Sequence, residues 1–326
     1  MSLEEAVSRT APNRPSSVSA YAPATVANVA AGFDVLGFAV EGVGDRVTLV
    51  RDETVSGVRI DAIDGVVRKL PTDPSRNTAS VAALSLLETG GAPGGFRMTI
   101  DKGIALGSGM GGSAASAVAG ALAANRMLER PLGLAALLAH AVAGEAVASG
   151  APHADNAAPC LYGGLTAVVG GDPPRVVRLP VPESVRFVLV RPQLRLDTRE
   201  ARAALPSSVS LTRHVEQSKH LAGFIAGCFG NDLQLIGRSM EDLIAAPARA
   251  GLIPGYERAR GAALSCGALG FGIAGAGPSV FAWVVSEDEA DRVERAVRAV
   301  FAELDLESEA WSGPIGRRGA VVECER

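Results

Sequence analysis

Apolar residues recur with two different spacings in the first half of the chain, and their order predicts a mixed fold. Short stretches rich in Val and Ile predict strands over 18–21, 46–50, 58–62, 96–100 and 165–169. Apolar residues repeated every three or four positions predict helices over 77–87 and 134–149. The Ala-rich stretch from 113 onward predicts a helix that is apolar on nearly every side. The segment 22–37 follows neither spacing, so we interpret it as a loop with a short helix that carries Asn28 and Asp34.

The second half continues with longer helices and fewer strands. Helices are predicted over 198–205, 213–229, 232–244, 256–265 and 287–304. Strands are predicted over 187–191, 268–273, 280–285 and 320–324. With the inserted helices set aside, this order is typical of a ferredoxin-like split βαβ domain. The expected domain boundary falls between 170 and 185, and the polar, Pro-containing segment 1–16 predicts a disordered leader.

A glycine-rich loop leads directly into the Ala-rich helix that begins near Ser113. Gly107, Gly109, Gly111 and Gly112 can adopt backbone angles closed to other residues and let the main chain approach a ligand closely. The N-terminus of a helix adds N–H donors and a positive dipole end, which suits an anion. The loop is therefore a candidate phosphate site, and an ordinary flexible loop is the alternative.

Two standard phosphate motifs fit this loop poorly. The loop contains no Lys, so the Walker pattern of P-loop NTPases is absent. The spacing of Gly107, Gly109 and Gly112 satisfies the dinucleotide fingerprint formally, but that motif belongs to an opening βαβ unit and this loop lies a third of the way along the chain. The glycines alone therefore do not choose between kinds of phosphate ligand.

The helix over 134–149 places a carboxylate among apolar residues. Continuing its stripe of Leu134, Leu138 and Ala141 by one turn reaches Glu145. A buried carboxylate needs a metal ion or a cationic partner, and burial alone leaves both open. The loop that follows clusters His153, Asp155 and Asn156.

The composition argues against several classes of function. A formal net charge of −4 argues against a nucleic-acid partner, and no apolar run is long enough to span a membrane. The four cysteines form no close pair, so neither a Cys metal site nor a redox motif is indicated. This cysteine pattern favours the cytoplasm.

Three segments together resemble the GHMP kinase superfamily. They are 23–28 with 32–34, the loop 107–116, and 272–282. Within the superfamily the resemblance is to the homoserine kinases, and it extends from about Val18 onward. It implies an α+β, two-domain GHMP kinase fold. An N-terminal domain like ribosomal protein S5 domain 2 would cover 17–179, and a C-terminal ferredoxin-like α/β-plait domain would cover 180–326.

The resemblance implies an ATP- and Mg²⁺-dependent kinase that phosphorylates the side-chain hydroxyl of L-homoserine to O-phospho-L-homoserine, a step in threonine biosynthesis. The expected partners are ATP and L-homoserine, without nucleic acid or membrane, and a homodimer is compatible with the sequence. A kinase for another small amino alcohol is the first alternative. A non-catalytic regulator that binds a nucleotide or metabolite is the second.

The family's motifs assign roles to particular positions of this sequence. The ATP phosphates would be bound by Gly107, Ser108, Gly109, Met110, Gly111, Gly112, Ser113 and Ala114. Mg²⁺ would be bound by Ser113 and Glu145. The substrate would be bound by Asn28, Asp34, His153, Thr198, Arg202 and Arg249. Catalysis is expected to depend on Asn28, Thr198, Glu145 and Ser113.

The roles that the resemblance implies for the charged residues agree with the chemistry of a zwitterion, and two positions of the phosphate loop depart from the family. Arg202 and Arg249 would bind the substrate carboxylate, and Asp34 its ammonium group. In the loop, Ala105 stands where the family usually has Pro, and Gly112 stands where it usually has Ser. One phosphate-binding hydroxyl is therefore missing.

Overall fold

The structure is a computed structural model, and it describes residues 15–89, 94–150, 153–171 and 174–326. Except for its last two residues, the predicted leader lies outside the described residues.

Strands and helices alternate irregularly along the described chain. The strands are β1 (Ser17–Ala27), β2 (Leu36–Asp52), β3 (Val58–Gly65), β4 (Gly95–Lys102), β5 (Leu165–Val169), β6 (Arg175–Leu179), β7 (Arg186–Pro192), β8 (Gly270–Ile273), β9 (Val280–Val284), β10 (Ser308–Pro314) and β11 (Val321–Glu325). The helices are α1 (Thr78–Thr89), α2 (Gly112–Met127), α3 (Leu134–Ser149), α4 (Ala157–Tyr162), α5 (Thr198–Ala203), α6 (Leu211–Gly230), α7 (Leu233–Ser239), α8 (Ala245–Arg249), α9 (Tyr256–Ser265) and α10 (Glu287–Ala302). A 3₁₀ turn (Ala250–Leu252) follows α8.

The described strands form two sheets. In the first, the order is β11-β1-β2-β4-β3, and β5 pairs with β2 and then with β6. Only β3 and β4 pair in parallel within it; the other described pairs are antiparallel. The second sheet has the antiparallel order β10-β7-β9-β8. With α10 between β9 and β10, this is the predicted split βαβ arrangement.

The chain end departs from the prediction. The strand predicted over 320–324 was expected to close the second sheet, but β11 pairs with β1 in the first sheet, with Cys324 opposite Ser19. The second sheet is closed instead by β10, whose sequence Ser-Glu-Ala-Trp-Ser-Gly-Pro has no run of Val or Ile and gave no strand signal. The last strand of the chain is therefore part of the sheet that the first half of the chain forms.

The loop and short helix predicted over 22–37 are also corrected. β1 continues through Ala27 and β2 begins at Leu36, so only the residues between them turn. From Ala22 to Ala27 every residue is buried, because this part of the strand is covered on both faces. A strand buried on both faces shows no alternation of apolar and polar residues. Similarly, the helix predicted over 232–244 is too long: α7 ends at Ser239, and the next helix, α8, begins only at Ala245.

Helices α1, α2 and α3 pack together against the first sheet, and small side chains make this close packing feasible. Nearly all of α2 is buried, in agreement with its Ala-rich sequence. The two sheets share a core in which Phe38 of β2 lies 6.0 Å from Phe187, 5.8 Å from Phe281 and 5.9 Å from Trp283, measured between ring centroids. The site described below lies where the two sheets meet.

Candidate active site

The glycine loop is held rigidly between several elements. Gly107, Gly109 and Gly111 have φ angles of 63°, 79° and 68°, in the left-handed region that favours glycine. A Cβ on Gly109 would lie 2.4 Å from the carbonyl oxygen of Ala274, so the loop also approaches the second half of the chain closely. Its carbonyl oxygens accept hydrogen bonds of 3.1–3.2 Å from the backbone N–H groups of Leu196, Ser279 and Thr25.

A buried ion pair holds the backbone of the loop in place through hydrogen bonds, and the sequence analysis did not predict it. Lys102, at the end of β4, pairs with Asp45 of β2, and their side chains are 5% and 0% exposed. The Lys102 ammonium also donates to the carbonyl oxygen of Gly112 at 2.9 Å and to Ser116 Oγ at 2.8 Å. The second carboxylate oxygen of Asp45 accepts from the N–H groups of Gly103 and Ile104. The only available signal was a charged residue close to each of the two predicted strands, Asp45 before 46–50 and Lys102 after 96–100.

A cavity of about 610 Å³ opens over the loop. This volume is in the range of cofactor and ligand pockets. Its lining from the predicted set is Gly107, Ser108, Gly109, Gly111, Gly112, Ser113, Glu145 and Thr198. Met110 and Ala114, also predicted to bind phosphate, are 1% exposed and are not among the lining residues.

Ser113 and Glu145 face each other on two helices that both reach the cavity. Ser113 Oγ, in the first turn of α2, donates to Glu145 Oε1 of α3 at 3.4 Å. Glu145 is 7% exposed, which confirms its predicted place on a buried helix face. No group of three or more His, Cys, Asp or Glu side chains that could hold a metal ion occurs among the described residues. The pair offers two hard oxygen atoms beside the phosphate loop.

The turn after β1 holds Asn28 in an unusual conformation. Asn28, Val29 and Ala30 have φ angles of 74°, 44° and 56°. The Asn28 side chain accepts a hydrogen bond from the N–H of Asp34 at 3.0 Å and donates one to the carbonyl oxygen of Gly275 at 2.9 Å. Asn28 therefore joins the first sheet to the loop between β8 and β9.

Asp34, Arg202 and Arg249 come together next to this turn. Arg202 of α5 forms a bidentate ion pair with Asp34, with N–O distances of 3.0 and 3.2 Å. Arg249 is 3% exposed and donates to the carbonyl oxygens of Ala201 at 3.0 Å and Gly275 at 3.1 Å. The Phe33 ring lies 5.6 Å from the Arg202 guanidinium and 5.3 Å from that of Arg249. Burial, and next the positive charge of Arg202, lower the pKa of Arg249.

His153 and Asp155 lie close to the same charges. Burial and the nearby Arg202 lower the pKa of His153, and its Nε2 atom is buried without a hydrogen-bond partner in the part of the chain that the structure describes. Burial and the negative charges of Asp34 and Glu145 raise the pKa of Asp155 to about 7. Asp155 thus lies in the electrostatic field of both the charged cluster and the cavity.

The two parts of the site meet at the loop between β8 and β9. Gly275 lines the large cavity, and its carbonyl oxygen accepts from both Asn28 and Arg249. Thr198 and Arg202 lie one turn apart on α5, which begins with the Asp197 carboxylate accepting the N–H of Arg199 at 2.8 Å. Helix α5 therefore contributes residues to both parts of the site.

Comparison with known proteins agrees with this arrangement. The chain matches the GHMP kinases N terminal domain over residues 77–164 and the GHMP kinases C terminal domain over residues 223–303. A homoserine kinase from Xanthomonas campestris pv. campestris is 47% identical over 301 residues, which cover 92% of each chain. The chain belongs to the homoserine kinase family.

Solved structures of a homoserine kinase and of a more distant protein share the fold. The crystal structure of homoserine kinase from Cytophaga hutchinsonii superposes with a TM-score of 0.91 at 43% identity, covering 94% of this chain and 98% of that one. Mevalonate diphosphate decarboxylase from Staphylococcus aureus is 14% identical with a TM-score of 0.73, which shows the fold alone. The predicted α+β GHMP kinase fold of this homoserine kinase family member is thereby confirmed.

Proposed function

We propose that this protein transfers the γ-phosphoryl group of ATP to the side-chain hydroxyl of L-homoserine, forming ADP and O-phospho-L-homoserine. The observation that carries the proposal is the cluster of Asp34, Arg202 and Arg249 beside a cavity lined by a phosphate-type glycine loop. An anion and two cations match the two charges of an amino acid. Its homoserine kinase relatives support the choice of substrate.

The substrate would replace the internal ion pair of the free protein. The ammonium group would take the place of the Arg202 guanidinium at Asp34, and the carboxylate would bind the released Arg202 together with Arg249. Nε2 of His153, which has no hydrogen-bond partner among the described residues, is a hydrogen-bonding position for the same substrate. This exchange keeps each charge compensated, so a zwitterion is favoured over an amine or an acid alone.

The loop and the first turn of α2 would bind the phosphates of ATP. The backbone N–H groups of the loop and the helix dipole stabilise negative charge at this end of the cavity. Ser113 Oγ and Glu145 Oε1 would hold Mg²⁺, which suits a cation that takes few protein oxygens and fills its remaining positions with water and phosphate. When bound, Mg²⁺ neutralises charge on the phosphate oxygens.

The transfer itself depends mainly on positioning. The homoserine hydroxyl oxygen forms a bond to the γ-phosphorus, the bond from that phosphorus to the bridging oxygen of ADP breaks, and the hydroxyl proton is released. Thr198 and Asn28 would orient the hydroxyl at the junction of the two parts of the site. A loose transition state needs little help from a general base, which agrees with the absence of one from the proposed set.

A coupled assay of ADP release with L-homoserine and Mg-ATP tests the proposal. We expect turnover with L-homoserine, and Glu145→Ala should lose it because one metal ligand and the buried acceptor of Ser113 are removed. Thr198→Val and Asn28→Ala should reduce kcat by at least about tenfold, the usual scale for a lost positioning hydrogen bond in a transition state.

Alternative acceptors decide between the candidate activities. If another small amino alcohol is phosphorylated and millimolar homoserine is not, the substrate assignment is wrong. If ATP binds without any turnover, the protein is a regulator.

Several expectations from the sequence stay predictions. They are the homodimer, the cytoplasmic location, the absence of nucleic-acid and membrane partners, and the domain bounds 17–179 and 180–326. No helix in the described ranges is long and apolar enough to cross a membrane.

A further inference from the structure

The phosphate loop of this protein is poor in groups that neutralise charge. Residues 103–112 contain neither Lys nor Arg, and Gly112 carries no hydroxyl. Phosphoryl transfer depends on stabilising charge spread over the phosphate oxygens. A cation from outside the loop would therefore strengthen the site.

Lys102 is the nearest Lys to the loop, but its charge is already paired with the Asp45 carboxylate. The ammonium pairs with Asp45, a side chain with 0% exposure, and donates two further hydrogen bonds to Gly112 and Ser116. An ammonium has three donors, and all three have partners here. Lys102 thus stabilises the loop and has no donor left for a ligand.

Arg195 lies across the loop on the cavity side. Its Cγ atom is 2.8 Å from the position that a Cβ on Gly107 would take, so the absence of a side chain at 107 makes room for the Arg195 stem. The neighbouring N–H of Leu196 donates to the carbonyl oxygen of Gly107 at 3.1 Å, which holds this segment on the loop. Arg195 also lines the large cavity.

The Arg195 guanidinium is available to a ligand. Among the described residues its side chain has neither an ion pair nor a hydrogen-bond partner, whereas Arg202 pairs with Asp34 and Arg249 donates two hydrogen bonds. Arg76 and Arg199 also line the cavity, but it is the stem of Arg195 that packs on Gly107 of the loop. A planar guanidinium binds phosphate oxygens through two parallel hydrogen bonds.

We infer that Arg195 is a nucleotide-binding residue that contacts the phosphates of ATP and supplies the positive charge that the loop lacks. The inference rests on the proposed function in that the cavity takes ATP. It does not depend on which alcohol accepts the phosphoryl group. Because the charge lies beside the phosphates, its contribution grows with the number of phosphates on the nucleotide.

The test compares Arg195→Gln with Arg292→Gln. Arg292 is exposed on α10 and is not among the residues that line the cavity, so the control removes the same charge elsewhere. Affinities for ATP, ADP and adenosine are measured by competition with a fluorescent ATP analogue, with Mg²⁺ and without homoserine. Melting temperatures establish that both variants are folded.

We expect Arg195→Gln to weaken ATP binding by at least about tenfold, as for a lost charge-assisted hydrogen bond, and ADP binding by less. Adenosine binding should change by less than about twofold, and Arg195→Lys should recover part of the ATP affinity. Arg292→Gln should leave all three affinities unchanged.

Two results would overturn the inference. One is ATP binding by Arg195→Gln equal to that of Arg292→Gln. The other is an equal loss for ATP and adenosine, which would mean that Arg195 only packs against the loop. Failure of the wild-type protein to phosphorylate homoserine, with ATP binding and its Arg195 dependence intact, would contradict the proposed substrate and support the inference.

Discussion

At the scale of single residues, burial has its clearest effect on the pKa of the Asp155 carboxyl group. Its side chain is 4% exposed, and burial together with the charges of Asp34 and Glu145 raises its pKa to about 7, while Arg202 opposes the shift. In the unfolded chain the carboxyl titrates near the ordinary pKa of an Asp side chain, 3.8. Between these two values the folded protein holds a proton that the unfolded chain has released. Stability must therefore fall as the pH rises through this window.

Replacement of Asp155 tests this sign. From about pH 5 to about pH 8, the wild type should lose roughly 3 kcal/mol more unfolding free energy than Asp155→Asn, which has no proton to release. Urea unfolding at several pH values, without nucleotide and with EDTA, measures the difference. Asp64→Asn, at an exposed position in β3, should follow the wild type. Parallel curves for Asp155→Asn and the wild type would show that the buried carboxyl keeps an ordinary pKa.

At the scale of elements, the glycine loop is determined by backbone geometry and by its neighbours together. The left-handed angles are a local property, and glycines at these positions signalled them in the sequence. The close approach of Gly109 to the carbonyl oxygens of Ala274 and Gly277 is not local, since these residues come more than a hundred positions later. An added side chain on Gly109 would therefore displace the loop from the second half of the site.

We expect Gly109→Ala to raise the KM for ATP by at least about tenfold, because the loop N–H groups lose their alignment. Gly42→Ala is the matched control. Gly42 has a φ of 90°, and a Cβ there would meet nothing within 4 Å. This control carries a similar backbone cost of about 1 kcal/mol but should leave the KM unchanged. The proposal for the loop fails if both variants show the same KM in steady-state kinetics.

At the scale of the whole molecule, the chain end ties the two halves together. β10 closes the second sheet, and β11 then returns to the first sheet and pairs with the edge of β1. The ion pairs Arg46–Glu323 and Arg126–Glu325 lie along the same strand. Both halves are therefore connected twice, once through the segment before β7 and once through the segment after β10.

Removal of residues 320–326 should lower the melting temperature by at least about 5 °C, since the edge of β1 loses its ladder and its cover. Glu323→Gln removes only an exposed ion pair and should change the melting temperature by less than about 2 °C. Differential scanning calorimetry of the two variants and the wild type makes the comparison. An unchanged melting temperature after the deletion would mean that β11 contributes no stability to the first sheet.

Much of the site could be predicted because its residues carry local or chemical signals. Glu145 was placed on a buried helix face by its spacing from Leu138 and Ala141, and the structure confirms that burial. Asn28, Asp34, Arg202 and Arg249 were assigned from family motifs, and the structure brings them into one cluster. Their roles toward the substrate stay predictions.

The remaining features depend on contacts between distant parts of the chain. The pairing of Lys102 with Asp45, the position of Arg195 over Gly107 and the pKa of Asp155 arise from neighbours that no spacing reveals. The strands β6 and β10 were missed, and the second half of β1 was taken for a loop.

The glycine loop, the helix that follows it, the order of most elements and the family of the chain can be predicted from the amino-acid sequence. These depend on backbone preferences and motifs that lie within a few residues of one another. That β11 joins the first sheet, and that Gly275 connects the cavity to the charged cluster, becomes visible only in the folded chain. Strand pairing and burial are set by which surfaces meet, and a strand's own residues do not specify its partner.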